Sequence, residues 1–168
     1  GALYIRKEIQ LDPLLLGGSH ERSRRAGTLN VPGIIGLGEA CEIAQQALED
    51  FNTRVRKLRD HLEKTILQEI PKTVVNGSRN QRTPHLTNIS FPNVEGEALL
   101  IALDMQGIAV STGSACSSGT VEPSHVLQAL GYRPARYDSA IRFSLSRMNN
   151  KKDIDCVLQI LPTTIERM

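Results

Sequence analysis

The chain has 168 residues, 40% of them hydrophobic, and a formal net charge of +2. That length allows one domain with a real core, and the composition excludes a disordered polymer. The near-neutral balance gives no case for nucleic acid or an anionic membrane as partner, and no apolar run approaches the roughly 20 residues of a membrane span. Cysteines stand at 41, 116 and 156 with no Cys-x-x-Cys, and an odd count closes no disulfide framework, so a reducing compartment is expected. His20, His61, His85 and His125 show no ligand-like spacing with any cysteine, and no metal site is expected. The chain opens on Gly1-Ala2-Leu3-Tyr4-Ile5 with no signal-peptide pattern, as a fragment or a processed chain would.

In chain order, Ala2 to Arg6 reads as a short apolar strand, and Leu11 to Leu16, with Pro13, as extended chain. The loop from Gly17 to Pro32 carries Arg22, Arg24 and Arg25 among glycines and serines, with Thr28 beyond them. Guanidinium groups, a hydroxyl and glycine-exposed amides suit a phosphate; a solvated basic loop would show the same residues. No aromatic residue interleaves with the arginines, which disfavours a nucleic-acid backbone. From about Gly33, apolar residues recur at spacings of three and four through Leu37, Ala40, Ala44, Ala47, Phe51, Val55, Leu58, Leu62 and Ile66. This predicts one amphipathic helix of about 30 residues, on the order of 45 Å long. Its charged side, from Glu49 through Arg54, Lys57, Arg59 and Glu63 to Lys64, reads as a solvated face, Cys41 as core and His61 as structural.

Past Pro71 the pattern changes. Thr73-Val74-Val75, Leu86 to Phe91, Ile108 to Ser111 and Ala140 to Leu145 read as strands. Glu97 to Gln106, Pro123 to Leu130 and a final segment capped by Asn150 read as helices. The last helix has an apolar face of Ile154, Val157, Leu158, Leu161 and Ile165, with Cys156 packing beside it. Strands and helices alternating in this way predict an α/β (α+β) fold, a small mixed sheet flanked by helices.

Between Ser111 and Thr120 lie ten small residues with one nucleophilic atom, the sulfur of Cys116. Such a segment is expected to be a mobile exposed loop. A thiol there can accept a group and deliver it elsewhere; a Ser/Gly connector with an incidental cysteine has the same composition. Residues 111 to 121 contain no Lys, Arg or His, so whatever favours the thiolate must approach in space. His125 is expected on an exposed helix surface. Arg147, in register with Phe143 and Leu145 along a strand, is placed to bind a planar carboxylate in two-pronged fashion or to pair with a neighbouring acid.

Three ordered motifs carry a resemblance. Ser114-Ala115-Cys116-Ser117-Ser118-Gly119 resembles the catalytic-cysteine loop of the cysteine desulfurases, in the class-V aminotransferase superfamily, and within them the subgroup with the longer loop. Gly17 to Gly33 resembles that family's cofactor-phosphate loop, and Ile141-Arg142-Phe143-Ser144-Leu145-Ser146-Arg147 its substrate-carboxylate strand, where glycine is commoner than Ser146. The resemblance implies a fold-type-I pyridoxal-phosphate enzyme. Residues 1–33 would end the large cofactor-binding domain, and 34–168 would form the long helix and C-terminal small domain. It implies Cys116 as persulfide carrier, Thr28 as a cofactor-phosphate contact and Arg147 as the substrate-carboxylate clamp. L-cysteine would be substrate and L-alanine product. The persulfide sulfur would pass to an iron–sulfur scaffold or other sulfur-acceptor protein, with Cys116 a transient iron–sulfur ligand at most. A homodimer in the cytoplasm or an organelle matrix is the family pattern.

One part of that pattern is absent. The family's Schiff-base lysine lies upstream of the segment matching Gly1 to Lys7, and none of the six lysines here stands in the buried turn it would need. The chain is therefore expected to be the C-terminal portion of a desulfurase, without turnover on its own. The competing expectation is a non-catalytic relay or docking domain whose Cys116 is loaded by another protein.

Overall fold

A computed structural model of the chain describes residues 1–112 and 124–168. These fall into two units, Gly1–Ala47 and Leu48–Met168.

The first unit buries none of its residues. The strand expected at Ala2 to Arg6 is not formed, because the unit offers no second strand to satisfy its backbone. Ala26 N–H donates to Leu15 O at 3.2 Å and closes the basic loop at its base. Inside it, the short α1 (His20–Ser23) is a left-handed turn, with φ of 52°, 58° and 63° at Glu21, Arg22 and Ser23. L-residues adopt that conformation at a cost of about 1–2 kcal/mol each. Helix α2 (Val31–Gln46) follows, with Pro32 in its first turn and Asn30 as cap, Gly33 N–H donating to Asn30 Oδ1 at 3.1 Å. Cys41, expected in the core, is exposed, and no residue of the helix is buried.

The helix predicted to be continuous over some 30 residues is interrupted: α2 ends at Gln46, and helical structure resumes with α3 (Leu48–Asp50), a π-helical turn (Phe51–Val55) and α4 (Arg56–Glu69). The stripe through Ala40, Ala44 and Ala47 is too small to demand one common packing partner for both halves. In the π turn Arg56 N–H reaches back to Phe51 O, which shifts the helical phase by one residue.

The second unit holds a four-stranded sheet in the order β1-β2-β4-β3, with β1 (Val74–Val75), β2 (Leu86–Ser90), β3 (Ser111–Thr112) and β4 (Ala140–Ser144). All three pairings are antiparallel, so the sheet is not mixed. Alternation puts Thr87 and Ile89 of β2 with Ile141 and Phe143 of β4 on the buried face. That face meets α4, α5 (Gly96–Asp104) and α8 (Lys151–Glu166), which contribute Leu62, Ile66, Leu99, Leu103, Ile154 and Leu161 to one core. Each such side chain fully removed from water contributes about 1.5–3 kcal/mol. Gly96 lets α5 sit directly on the end of β4: a Cβ there would lie 2.7 Å from Asp138 O. The last helix has both halves of its capping box, Lys152 N–H donating to Asn150 Oδ1 at 2.8 Å and Asn150 N–H to Asp153 Oδ2 at 3.0 Å. Two short helices, α6 (His125–Ala129) and α7 (Pro134–Tyr137), complete the unit. The second of them was not legible as a helix.

The charged side of α4 is only partly solvated. Arg59 and Glu63 are 4% and 7% exposed, because the segment between β1 and β2 folds over them. Arg82 pairs two-pronged with Glu63 at 2.6 and 2.9 Å, Thr87 Oγ1 donates to the same carboxylate at 2.6 Å, and Arg59 Nη1 donates to Thr83 O and Leu86 O. Burial pushes the Glu63 pKa up, but the hydrogen bonds from Arg82 and Thr87 and the charges of Arg82 and Arg59 outweigh it and hold the carboxyl below its ordinary range.

Candidate active site

Each unit holds some of the residues singled out by the sequence. In the first, Thr28 is exposed at the end of the basic loop. Arg25 is folded back, its Nη1 donating to Gly27 O at 3.1 Å and Thr28 O at 2.9 Å, so this guanidinium stiffens the loop. Gly27 sits at φ +95°, which L side chains rarely adopt. Arg22 and Arg24 remain exposed, and no ion pair among the described residues involves them. A hydroxyl, two uncommitted guanidiniums and a glycine-shaped backbone are a donor set for a phosphate ester.

In the second unit Arg147 does not continue the strand. Alternation after Phe143 and Leu145, both buried, would have driven a guanidinium into the core. Instead β4 stops at Ser144, and residues 146–149 form a turn. Ser146 N–H donates to Asn149 Oδ1 at 2.8 Å, Asn149 N–H to Ser146 O at 3.2 Å and Met148 N–H to Ser146 Oγ at 3.1 Å. Arg147 is exposed on this turn, and no ion pair of its side chain is found among the described residues.

What fixes the turn is Arg54, which sequence reasoning left on a solvated face. Its Nη1 donates to Asn149 O at 2.7 Å and its Nη2 to Arg147 O at 2.8 Å. Asp50 holds the same guanidinium two-pronged, at 2.8 and 2.9 Å, and the Asp50 carboxyl is lowered from its ordinary value by that hydrogen bond above all. No local signal could reveal this, since the acceptor carbonyls are 93 and 95 residues away.

Cys116 lies outside the described residues; its flanks do not. Ser111 and Thr112 pair with Arg142 and Ile141. Arg142 is also opposite Asn88, and its Nε is buried with no hydrogen-bond partner among the described residues. On the far side Ser124 caps α6, Leu127 N–H donating to its Oγ at 3.4 Å, so that helix starts at His125. His125 is exposed, as expected. Behind it Arg136 donates from Nε to Asn76 Oδ1 at 2.7 Å and from Nη2 to Val75 O at 3.1 Å, and stacks 3.8 Å over the Tyr132 ring. Asn76 in turn donates to Asn88 Oδ1 and Ser90 Oγ. One end of the cysteine-bearing segment is thus paired to the sheet, and the other is set by the cap of α6. Cys156, read as packing, is exposed. Among the described residues no three His, Cys, Asp or Glu side chains cluster as a metal site, and no helix is long and apolar enough to cross a membrane.

The α/β architecture with its four-stranded antiparallel sheet is that of a portion of a fold-type-I enzyme. The chain belongs to the aminotransferase class-V family, whose family model matches residues 1–157. Within it the similarity is to cysteine desulfurases. Those of Nostoc sp. and Methanosarcina thermophila (the latter named IscS) are each 49% identical over all 168 residues, which make up 42% and 41% of their lengths. Among solved structures, a NifS-like protein superposes with a TM-score of 0.86 at 33% identity, covering 98% of this chain and 42% of the other. A NifS-like protein from Rickettsia africae gives 0.82 at 32% identity, covering 94% and 41%. The chain therefore spans about two fifths of the length of the curated relatives it matches.

Proposed function

We propose that this chain is the C-terminal portion of a pyridoxal-phosphate-dependent cysteine desulfurase, with Cys116 as the sulfur carrier. In this assignment residues 1–33 finish the large cofactor-binding domain, and 34–168 form the long helical segment and the small domain. The observation that carries it is 49% identity to cysteine desulfurases over all 168 residues, a span that contains Ser114–Gly119.

The residues present fit the cofactor's phosphate. Thr28 would donate its hydroxyl, with Arg22 and Arg24 adding charge and Arg25 holding the loop in shape. When bound, pyridoxal phosphate would supply the electron sink for the pair left on the substrate carbon when its bond to sulfur breaks. The chain's own residues do the rest. Arg147, on a turn fixed by Arg54, grips the substrate carboxylate through paired N–H donors. Cys116 attacks the substrate sulfur as a thiolate. The substrate's carbon–sulfur bond breaks, a sulfur–sulfur bond to Cys116 forms, and the carbon skeleton takes up a proton as alanine. The persulfide then passes its outer sulfur to a thiol of an acceptor, such as an iron–sulfur scaffold protein. The complete enzyme works as a homodimer.

The test compares this chain alone with the chain preceded by a lysine-bearing upstream half, each given pyridoxal phosphate and L-cysteine. Alanine is expected only from the second. Turnover by the chain alone at a comparable rate, or none from the completed chain, contradicts the proposal.

A further inference from the structure

On the second unit, Thr53, Arg54, Lys57, Leu58, His61 and Lys151 line an open groove of about 420 Å³. None of these six residues is acidic. Thr53, Arg54, Lys57 and His61 recur at spacings that place them along one side of the π turn and α4, and Lys151 closes the groove from the first turn of α8. The nearby carboxylates are committed elsewhere. Asp50 is taken by Arg54, and Asp153 accepts from Asn149 and Asn150 at the cap of α8. Asp155 stands 4.0 Å from Lys151, with side chains 50% and 76% exposed, a spacing and exposure at which the pair contributes little. Among the described residues Lys57 makes no ion pair, and Lys151 makes only this long, exposed one to Asp155.

The groove also has an apolar element. Leu58 is half-buried in its floor. At its edge Arg54 grips the turn that carries Met148, which is 79% exposed, and Arg147. Arginine and methionine beside a shallow apolar floor match the residue preferences of protein interfaces. A nucleic-acid strand would want stacking aromatics along the basic track, and none lines this groove.

We infer that this groove docks an acidic segment of a partner protein, with glutamate or aspartate side chains on Lys57 and Lys151 and an apolar side chain over Leu58 and Met148. Docking here would press on the turn that holds Arg147, because Arg54 lines the groove and donates to the carbonyls of that turn. The inference stands independently of any chemistry at Cys116 and needs no turnover to test.

The probe is a fluorescein-labelled peptide of about ten residues alternating glutamate and leucine, long enough to fill a groove by side-chain anchoring. Its binding to the complete protein is followed by fluorescence anisotropy. Lys57→Glu and Lys151→Glu, both exposed positions outside the Arg54–Asp50 clamp, are each expected to weaken it about tenfold, and salt at about 0.5 M should weaken it for the unaltered protein. A lysine–leucine peptide should bind the doubly reversed protein better than the original, an outcome misfolding cannot produce. Equal binding by all variants, equal binding of a glutamine–leucine peptide, or full displacement by millimolar inorganic phosphate would each overturn the inference.

Discussion

Glu63 is the group whose removal should be felt most sharply. It is 7% exposed, and its carboxylate accepts two hydrogen bonds from Arg82 and one from Thr87. Glu63→Ala leaves Arg82, with a side chain only 15% exposed, facing a methyl group. Breaking a buried pair from one side costs about 3–5 kcal/mol, and the exposure Arg82 retains points to the lower end, about 3 kcal/mol. With a urea m-value of about 1–3 kcal/mol/M, the unfolding midpoint should drop on the order of 1–3 M. Glu63→Gln keeps the volume and one acceptor, so about half that loss is expected. The acid dependence follows from the lowered folded-state pKa. The stabilisation is fully present above the unfolded-state value of 4.5 and is lost as pH falls through the lower folded-state value. Glu63→Gln should therefore lose stability less steeply than wild type as pH drops below the ordinary glutamate range. Urea unfolding followed by circular dichroism across pH reads both effects. A midpoint change below about 0.2 M for Glu63→Ala would mean that this buried cluster does not hold the 79–86 segment down.

Gly96→Ala should destabilise by about 1–3 kcal/mol, because the new Cβ meets the backbone oxygens of Asp138 and Ala140 at 2.7 and 3.4 Å, and backbone cannot rotate aside. Gly36→Ala, with nothing within 4 Å and a helical backbone, should cost nothing or stabilise slightly, and thermal melts of the pair check the contrast. In the completed enzyme, Arg147→Met should lower kcat/KM for L-cysteine by about 10- to 100-fold, the scale of hydrogen bonds to a charged group, chiefly through KM. Arg54→Met leaves Arg147 in place but frees its turn, so a smaller KM increase is expected, measured by alanine release against cysteine concentration.

The sheet was legible because its strands alternate against a core: Thr87, Ile89, Ile141 and Phe143 announce one buried face, and Asn150 with Asp153 announces the last helix. Chemical side chains on loops were legible only as motifs. Thr28 and Arg147, the proposed cofactor and substrate contacts, were named from motifs alone, and the backbone that presents them was not legible. Arg147 follows a strand pattern that the turn at 146–149 overrides, and that turn depends on a guanidinium over ninety residues away. Periodicity also ran past its meaning along the long helix. Spacings of three and four persist through Ala47 whether or not the backbone stays regular, and a π turn leaves no mark in composition. Arg59 and Glu63 were misjudged for a related reason: a charged residue on a helix reads as solvated until the loop covering it is known.

The most direct measurement of the central claim is Cys116→Ser in the completed enzyme, supplied with L-cysteine carrying radioactive sulfur. Protein-bound label and sustained alanine release should both vanish while pyridoxal phosphate is still bound. Full-speed alanine release from the serine variant would contradict the role assigned to Cys116.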